Sequence, residues 1–349
     1  MQTITKKSAF KQSGATIMKK LSAFIFAVII TGSLAAVAAE AKELIPVGRA
    51  VGIRLETNGV MIAGIPDTCA DGTTPSPAKD SGLRAGDVII KVVGREVNSG
   101  EELKKLINEH EGGELTLLVE RNGNREQISV TPRKTGEGGN SIGILVRDGI
   151  SGIGTVTFFD PETGKYGALG HPVSDAETGL IIPLREGHIS SMSVTGVAKG
   201  KVGVPGQLHG SFDFEDKLGT VKLNTDCGIF GELTNEALLS EEAIEAAEDG
   251  EIHTGEAYIL SNVSGSEVEK YDIEISRVFT GDEADGRSML ITVKDDALVE
   301  ATGGIVQGMS GSPIIQDGRL IGAVTHVLVN EPLKGYGISI GRMLARVDA

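Results

Sequence analysis

From Ser141 onward the chain is a succession of short apolar runs separated by turn residues, and this rhythm restricts the fold more than any other feature. The runs are Gly152–Phe159, Leu180–Pro183, Gly228–Leu233, Ala257–Leu260, Tyr271–Val278, Ser288–Val293 and Leu320–Val329. Each suits a strand and is too short to be an amphipathic helix. Roughly 200 residues of this pattern predict a β-barrel or β-sandwich domain. The composition agrees, with 48 glycines, 4% aromatic residues and no Trp. One stretch departs from it: Leu238, Leu239, Ile244 and Ala247 predict a helix over Asn235 to Glu248.

The N-terminal 40 residues read as a targeting segment. Lys6, Lys7, Lys11, Lys19 and Lys20 precede an uncharged stretch from Leu21 to Ala39, with Ala36-Val37-Ala38 as a cleavage signature. Basic residues followed by an apolar run are the pattern of a signal peptide or membrane anchor. The expectation is a chain that works outside the cytoplasm and meets the membrane through this segment. A net charge of −15 argues against nucleic acid as a partner, because phosphate binding needs a basic stripe. Cys69 and Cys227 form no CxxC pair; one disulfide and two buried thiols both remain open. No HExxH or similar spacing occurs, so neither a metal nor another cofactor is expected.

Residues 43–135 read as a small domain. Short strands flank the turn at Thr57-Asn58-Gly59, and Ser99 with Glu102 forms a capping box for a helix that places Leu103, Leu106 and Ile107 on one face. Leu115–Val119 and Ile128–Val130 follow as strands. With Gly82-Leu83-Arg84-Ala85-Gly86-Asp87-Val88-Ile89 ahead of that helix, the segment resembles a PDZ domain. The resemblance implies a carboxylate-binding loop at Val51, Gly52, Ile53 and Arg54, and an extended peptide added beside the helix. Arg133 to Asn140 reads as a polar, glycine-rich linker.

Gly308-Met309-Ser310-Gly311-Ser312-Pro313 carries the chemistry. Glycines on both sides let Ser310 sit exposed on a sharp turn, and the N–H groups of Gly308 and Ser310 are placed to receive a developing oxyanion. A hydroxyl nucleophile needs a base. Among six histidines, His171 stands on a turn after a short apolar run, loosened by Gly170 and stiffened by Pro172. His326 falls inside an apolar strand and reads as structural; His110 ends the small domain's helix; His188, His209 and His253 lack a signature. Candidate acids are Asp295 and Asp296 at the end of an apolar strand, and Asp175, four residues from His171.

The stretch Thr302-Gly303-Gly304-Ile305-Val306-Gln307-Gly308-Met309-Ser310-Gly311-Ser312-Pro313-Ile314-Ile315-Gln316, followed by Ile321-Gly322-Ala323-Val324-Thr325-His326-Val327, resembles the stage IV sporulation protein B peptidase family of endospore-forming bacteria. The resemblance covers the whole architecture: a membrane-directing N-terminus, a PDZ domain, and over 141–349 a serine peptidase domain similar to the chymotrypsin-like double β-barrel. It implies Ser310 as nucleophile, His171 as base and Asp295 as third member, with Asp296 adjacent.

It further implies self-cleavage, and cutting of a membrane-associated regulator in the space between forespore and mother-cell membranes. That cut would trigger intramembrane processing of a late sigma factor. Two other readings stay open. One is an HtrA-like extracytoplasmic quality-control protease, although there the PDZ follows the protease. The other is a non-enzymatic PDZ scaffold.

Overall fold

The strand-and-turn rhythm resolves into two closed barrels of six strands each in the computed structural model, which describes residues 42–347 apart from 122, 137, 177, 236, 237, 240 and 280–286. The first barrel is built from β1 (Ala50–Gly64), β2 (Leu145–Phe159), β3 (Lys165–Ala168), β4 (Leu184–Ala198), β5 (Gln207–Thr225) and β6 (Gly228–Leu233). Antiparallel pairing runs β2-β3-β6-β5-β4-β1, and a β1–β2 ladder closes the ring.

The second barrel uses β7 (Gly255–Ser261), β8 (Glu269–Val278), β9 (Met289–Val293), β10 (Pro313–Gln316), β11 (Arg319–Leu328) and β12 (Glu331–Ser339). Its order is β7-β8-β9-β12-β11-β10, with β10 returning to β7. Alternation makes these strands. In β8, Tyr271, Ile273 and Ile275 fill the barrel while Lys270 and Asp272 face water. β2 is buried at every position from Gly154 to Phe159. Val156 packs in the first barrel's core, and Thr155 next to it bonds the turn at Gly308–Ser310 of the second.

Between β1 and β2 sits the small domain. Beyond Gly59, β1 leaves the barrel and pairs with Val88–Val92, which pairs with Leu115–Arg121 and then Asn124–Val130. Helix α1 (Gly100–Glu109) covers this sheet with Leu103, Leu106 and Ile107. Ser99 Oγ accepts the Glu102 N–H at 3.1 Å, and the Glu102 carboxylate accepts the N–H of Asn98 at 3.1 Å. The cap therefore forms, with its return bond one residue earlier than the capping box expects.

Three expectations are corrected. A small domain at 43–135 followed by a peptidase domain at 141–349 is not how the strands pair. Ile45 and Pro46 pair with Phe159 and Phe158, Ala50–Glu56 pairs with β2 and Gly52–Thr57 with β4, so these residues belong to the first barrel. The small domain is an insertion into a hairpin of that barrel. Val51, Gly52, Ile53 and Arg54 consequently form no carboxylate-binding loop. They lie in the middle of a sheet, against Gly154–Ser151 on one side, with Gly52–Arg54 against Ser190–His188 on the other. The helix expected over 235–248 is replaced, among its described residues, by a short strand at Ile244–Glu245 that pairs with Leu44 and Glu43. A strand partner held by long-range pairing overrides the local period.

Cys69 and Cys227 are both buried and both free. The N-terminal segment at 1–40 lies outside the described residues. No described helix is long and apolar enough to cross a membrane.

Because Glu56 lies directly opposite Gly149 in the ladder, a short turn can join them. Replacing residues 58–147 by Asn-Gly, together with Asp175→Asn because the replacement removes Arg147 from the shielded Asp175, should leave a folded two-barrel protein. Deleting 43–135 should leave none, because it removes β1. Circular dichroism and thermal melting distinguish the two; a cooperative melt in the second variant would contradict this partition.

Candidate active site

Helix α2 (Asp296–Thr302) and the turn after it position Ser310. The helix stops at Gly303, whose φ of 76° is left-handed, and Ile305 then donates to the Pro332 carbonyl on β12 at 2.8 Å. The turn is clamped from the first barrel by one buried residue: Thr155 donates its N–H to the Ser310 carbonyl at 2.9 Å and its Oγ1 to the Gly308 carbonyl at 2.8 Å. Gly311 is obligatory in this packing. Its φ is +99°, and a Cβ would lie 2.0 Å from the Thr155 carbonyl oxygen.

The clamp fixes where the remaining donors point. The Gln307 carbonyl accepts from Leu208 N–H at 2.9 Å and the Met309 carbonyl from Ser312 N–H at 2.9 Å. In a trans peptide the N–H lies opposite its carbonyl, so the N–H groups of Gly308 and Ser310 are turned away from those bonds. Among the described residues neither has an acceptor. Both residues line a cavity of about 450 Å³. Two convergent, unspent backbone donors beside a hydroxyl are the arrangement that stabilises a tetrahedral oxyanion.

His171 lines the same cavity, at the end of β3. Leu169 before it has φ 71°, a left-handed conformation that costs a non-glycine residue on the order of 1 kcal/mol. It is held there by burial and by a 3.1 Å bond from its N–H to the Thr155 carbonyl. The imidazole Nδ1 lies 2.8 Å from the Pro172 carbonyl oxygen. A carbonyl can only accept, so this contact selects the Nδ1–H tautomer and leaves Nε2 with a free lone pair. Burial lowers the His171 pKa, partly opposed by the Pro172 carbonyl, which favours the protonated ring.

His326, which its place in an apolar strand predicts to be structural, stands beside this ring with centroids 4.9 Å apart and borders the cavity. The register shift between Val324 and Val327 explains it. A bulge re-aims a side chain that strict alternation would bury. The Ser310 hydroxyl itself donates to the Thr325 carbonyl at 2.7 Å rather than to His171.

The expected acids are elsewhere. Asp295 is the N-cap of α2; its carboxylate accepts from Leu298 N–H at 2.9 Å and from Asp272 N–H at 3.4 Å, and the structure does not bring it to His171. Asp296 begins that helix. Asp175 is fully shielded and paired with Arg147 at 2.8 Å, while its other oxygen accepts from Thr178 N–H and Oγ1–H at 2.9 and 3.0 Å. It organises the loop after His171, as does Asn224, which bonds Val173 and Ile182.

A second concavity, of about 400 Å³, lies between α1 and the start of β2, lined by Leu103, Ile107, Ile142, Ile144 and Val146. Gly143, φ +74°, turns the chain where a Cβ would meet Ser76 Oγ at 2.4 Å. Its carbonyl is bonded by Ser76 Oγ at 2.7 Å, which leaves the Ile144 N–H facing away. Among the described residues, Leu145, Val146 and Arg147 pair with β1 on one side only. This is an open strand edge beside an apolar helix face, suited to an added peptide strand. The sequence signal was Ser141-Ile142-Gly143-Ile144, which the polar run before it made look like a linker's end.

Residues 138–344 match the family described as SpoIVB peptidase S55, and residues 51–131 match the PDZ domain family. The zinc metalloprotease RasP of Oceanobacillus iheyensis is 31% identical over 78 residues, 22% of this chain and 18% of that protein. A putative zinc metalloprotease of Treponema pallidum is 27% identical over 160 residues, 44% of this chain and 35% of that one. The chain thus spans 18% and 35% of the length of these two relatives. Among solved structures, the active form of the Rv3671c protease from M. tuberculosis is 16% identical, covering 58% of this chain and 76% of that one at a TM-score of 0.31. The PDZ domain of the SdrC-like protein Lmo2051 from Listeria monocytogenes is 25% identical and covers 26% and 90%, with a TM-score of 0.22. Scores this low carry no argument about the fold, which stands on the strand pairings.

If the Thr155 clamp aligns the turn, Thr155→Val should slow fluorophosphonate labelling of Ser310 by about tenfold or more, the size of one lost buried hydrogen bond. Thr155→Ser should restore it to within about threefold. Equal labelling of the Val variant and the parent would show that the clamp is dispensable.

Proposed function

We propose, for a chain that belongs to the SpoIVB peptidase S55 family, that Ser310 is the nucleophile and His171 the general base of a PDZ-containing serine endopeptidase. The observation that supports this most is the pair of unspent N–H groups on Gly308 and Ser310, beside a hydroxyl and an imidazole in one cavity.

In the proposed reaction an extended substrate lies along the edge of β11 at Thr325–Val327, and its backbone N–H competes for the Thr325 carbonyl. The displaced hydroxyl turns toward His171 Nε2, which takes its proton as Oγ attacks the peptide carbonyl. The Gly308 and Ser310 N–H groups hold the oxyanion. His171 then protonates the leaving amine, and water releases the acyl group by the same path reversed. The Pro172 carbonyl holds the ring's tautomer, and Asp295 acts at a distance by capping the helix that leads into the catalytic turn.

The finer reading concerns setting. Family membership, together with the lysine-flanked apolar segment at 1–40, supports an exported or membrane-anchored enzyme acting between the forespore and mother-cell membranes. There it would cleave itself and a membrane-associated regulator during sporulation, and so trigger processing of a late sigma factor. The groove beside α1 would present the target.

Mass spectrometry of the purified full-length protein over time tests the core of this. Fragments should accumulate in the wild type and be absent from Ser310→Ala; identical fragmentation would reject the assignment.

The base must be neutral to work, and burial lowers its pKa. The acid limb of kcat/KM should therefore fall below the ordinary imidazole value of about 6.5, leaving the enzyme fully competent at neutral pH. A limb above that value would point to a carboxylate on His171.

For Asp295, loss of the cap in Asp295→Ala should lower stability by about 1 kcal/mol, and Asp295→Asn should recover it, since Asn caps as well as Asp. A roughly 10⁴-fold loss of kcat in the Asn variant at unchanged melting temperature would instead make Asp295 a triad acid.

A further inference from the structure

The cleft around Ser310 has an unusual lining for a chain with a net charge of −15: among the described residues it contains no Asp, Glu, Lys or Arg. Half of it is aliphatic or proline, with Ile153, Leu169, Ile305 and Val306 on the floor and Pro205, Val327 and Val329 toward the rim. The rim continues outward onto a turn whose exposed valines stand beside the likewise exposed Lys201. Val202 is 75% exposed and Val204 60% exposed, the two highest values among the large hydrophobic residues described, and Val329 is 42% exposed.

These side chains sit on a turn that is fixed in place. Lys201 and Val204 exchange backbone bonds at 3.0 and 2.8 Å, so Val202-Gly203 is the tip of a tight turn with Gly203 at φ +81°. The turn is then tied to the second barrel: Gly203 N–H donates to the Val329 carbonyl at 2.9 Å and Gly200 N–H to the Thr302 carbonyl at 2.8 Å. Turn tips favour Gly, Pro, Asn, Asp and Ser. Branched aliphatics there leave apolar surface in water, at a cost the fold does not recover. A rigid apolar lip contiguous with a cleft is pre-organised to bind, because little ordering entropy remains to be lost.

We infer that this lip is a substrate-recognition surface. The peptidase selects uncharged segments that place large aliphatic side chains both in the cleft and several residues away, against Val202 and Val204. The occupant is the substrate chain itself, since Pro205 and Val329 belong to the lip and to the cavity of Ser310 alike. This inference rests on the reading of Ser310 as the nucleophile. A charged side chain in the same place would lose its hydration with no ion-pairing partner in the lining.

The test uses the full-length protein and a defined peptide mixture, with cleavage sites read by mass spectrometry. Fluorophosphonate labelling is run first: failure to label Ser310 would sink the catalytic reading and not merely the specificity. With labelling established, wild-type cleavage should concentrate in Leu-, Ile- and Val-rich segments. The discriminating measurement is the ratio of kcat/KM for a peptide with a distal aliphatic residue to that for its Ser-substituted twin. Val202→Ser combined with Val204→Ser should reduce that ratio by about tenfold, the effect of losing one buried aliphatic contact.

An unchanged ratio, or preferred cleavage next to Lys, Arg, Asp or Glu, would overturn the inference. So would an unchanged ratio accompanied by weaker binding to phosphatidylglycerol vesicles, which would assign the lip to a lipid surface.

Discussion

The ladder between β1 and β2 is the contact on which the rest of the molecule depends. It closes the first barrel, and past Glu56 it resumes at Met61 against Arg147 as part of the inserted PDZ sheet. One strand, β2, therefore does three things along its length. Its first residues are the open edge of the groove beside α1. Its middle is barrel wall. Thr155, near its end, holds the turn that carries Ser310. At about 3.3 Å per residue, groove edge and clamp are about 30 Å apart on a single paired strand. Arg147 ties that edge sideways as well, through its bond to the shielded Asp175, to the loop that follows His171. Removing Arg147 would leave the shielded Asp175 without its counter-charge, which is more costly than losing a surface ion pair.

This arrangement explains which parts of the fold could be read in the sequence. A β-barrel or β-sandwich was legible because its strands are short, alternate and end in glycine turns, with β8 the clearest case; that there are two barrels was implied only by the family resemblance. The helix of the small domain was legible because α1 has a strong apolar face and a capping serine, and its PDZ character came from the resemblance carried by Gly82–Ile89. What the sequence hid was the sharing of β1. A linear reading assigns a strand to one domain, and nothing local in Val51-Gly52-Ile53-Arg54 tells a glycine loop from a paired strand. The Gly52 position is decided by a distant fact: a Cβ there would lie 2.9 Å from the Phe212 Cβ on β5. The true groove-forming turn, at Ile142–Ile144, was hidden for the same reason, since its role depends on Ser76 and α1 lying beside it.

The site was legible in proportion to how local its chemistry is. Ser310 and its two donors belong to one glycine-rich turn, and the turn's spacing states the geometry. Gly170 and Pro172 singled out His171, which the fold places in the cavity of Ser310, yet the contact that orients its ring, the Pro172 carbonyl, is a backbone group that no residue type reveals. His326 escaped notice because the register shift that turns it toward the cleft arises from pairing with β12, not from its neighbours in sequence. The acid was the least legible member. Aspartates end many strands, and Asp295 does what its position before α2 already allowed, satisfying the first turn's N–H groups.

An imidazole oriented by a carbonyl behaves differently from one oriented by a carboxylate. A carboxylate stabilises the imidazolium that forms as the serine proton is taken, and raises the pKa of the ring; a neutral carbonyl fixes the tautomer with much less effect on charge. Burial in a cleft without formal charges pushes the same way, toward a neutral base. On the proposed mechanism the site would rely on the Gly308 and Ser310 N–H groups for a larger share of transition-state stabilisation, and those donors are only as well placed as the turn that bears them. That is why a threonine on the opposite barrel, outside the lining of the cavity, matters to the site. It converts the closure of one barrel into the alignment of a site assembled on the other.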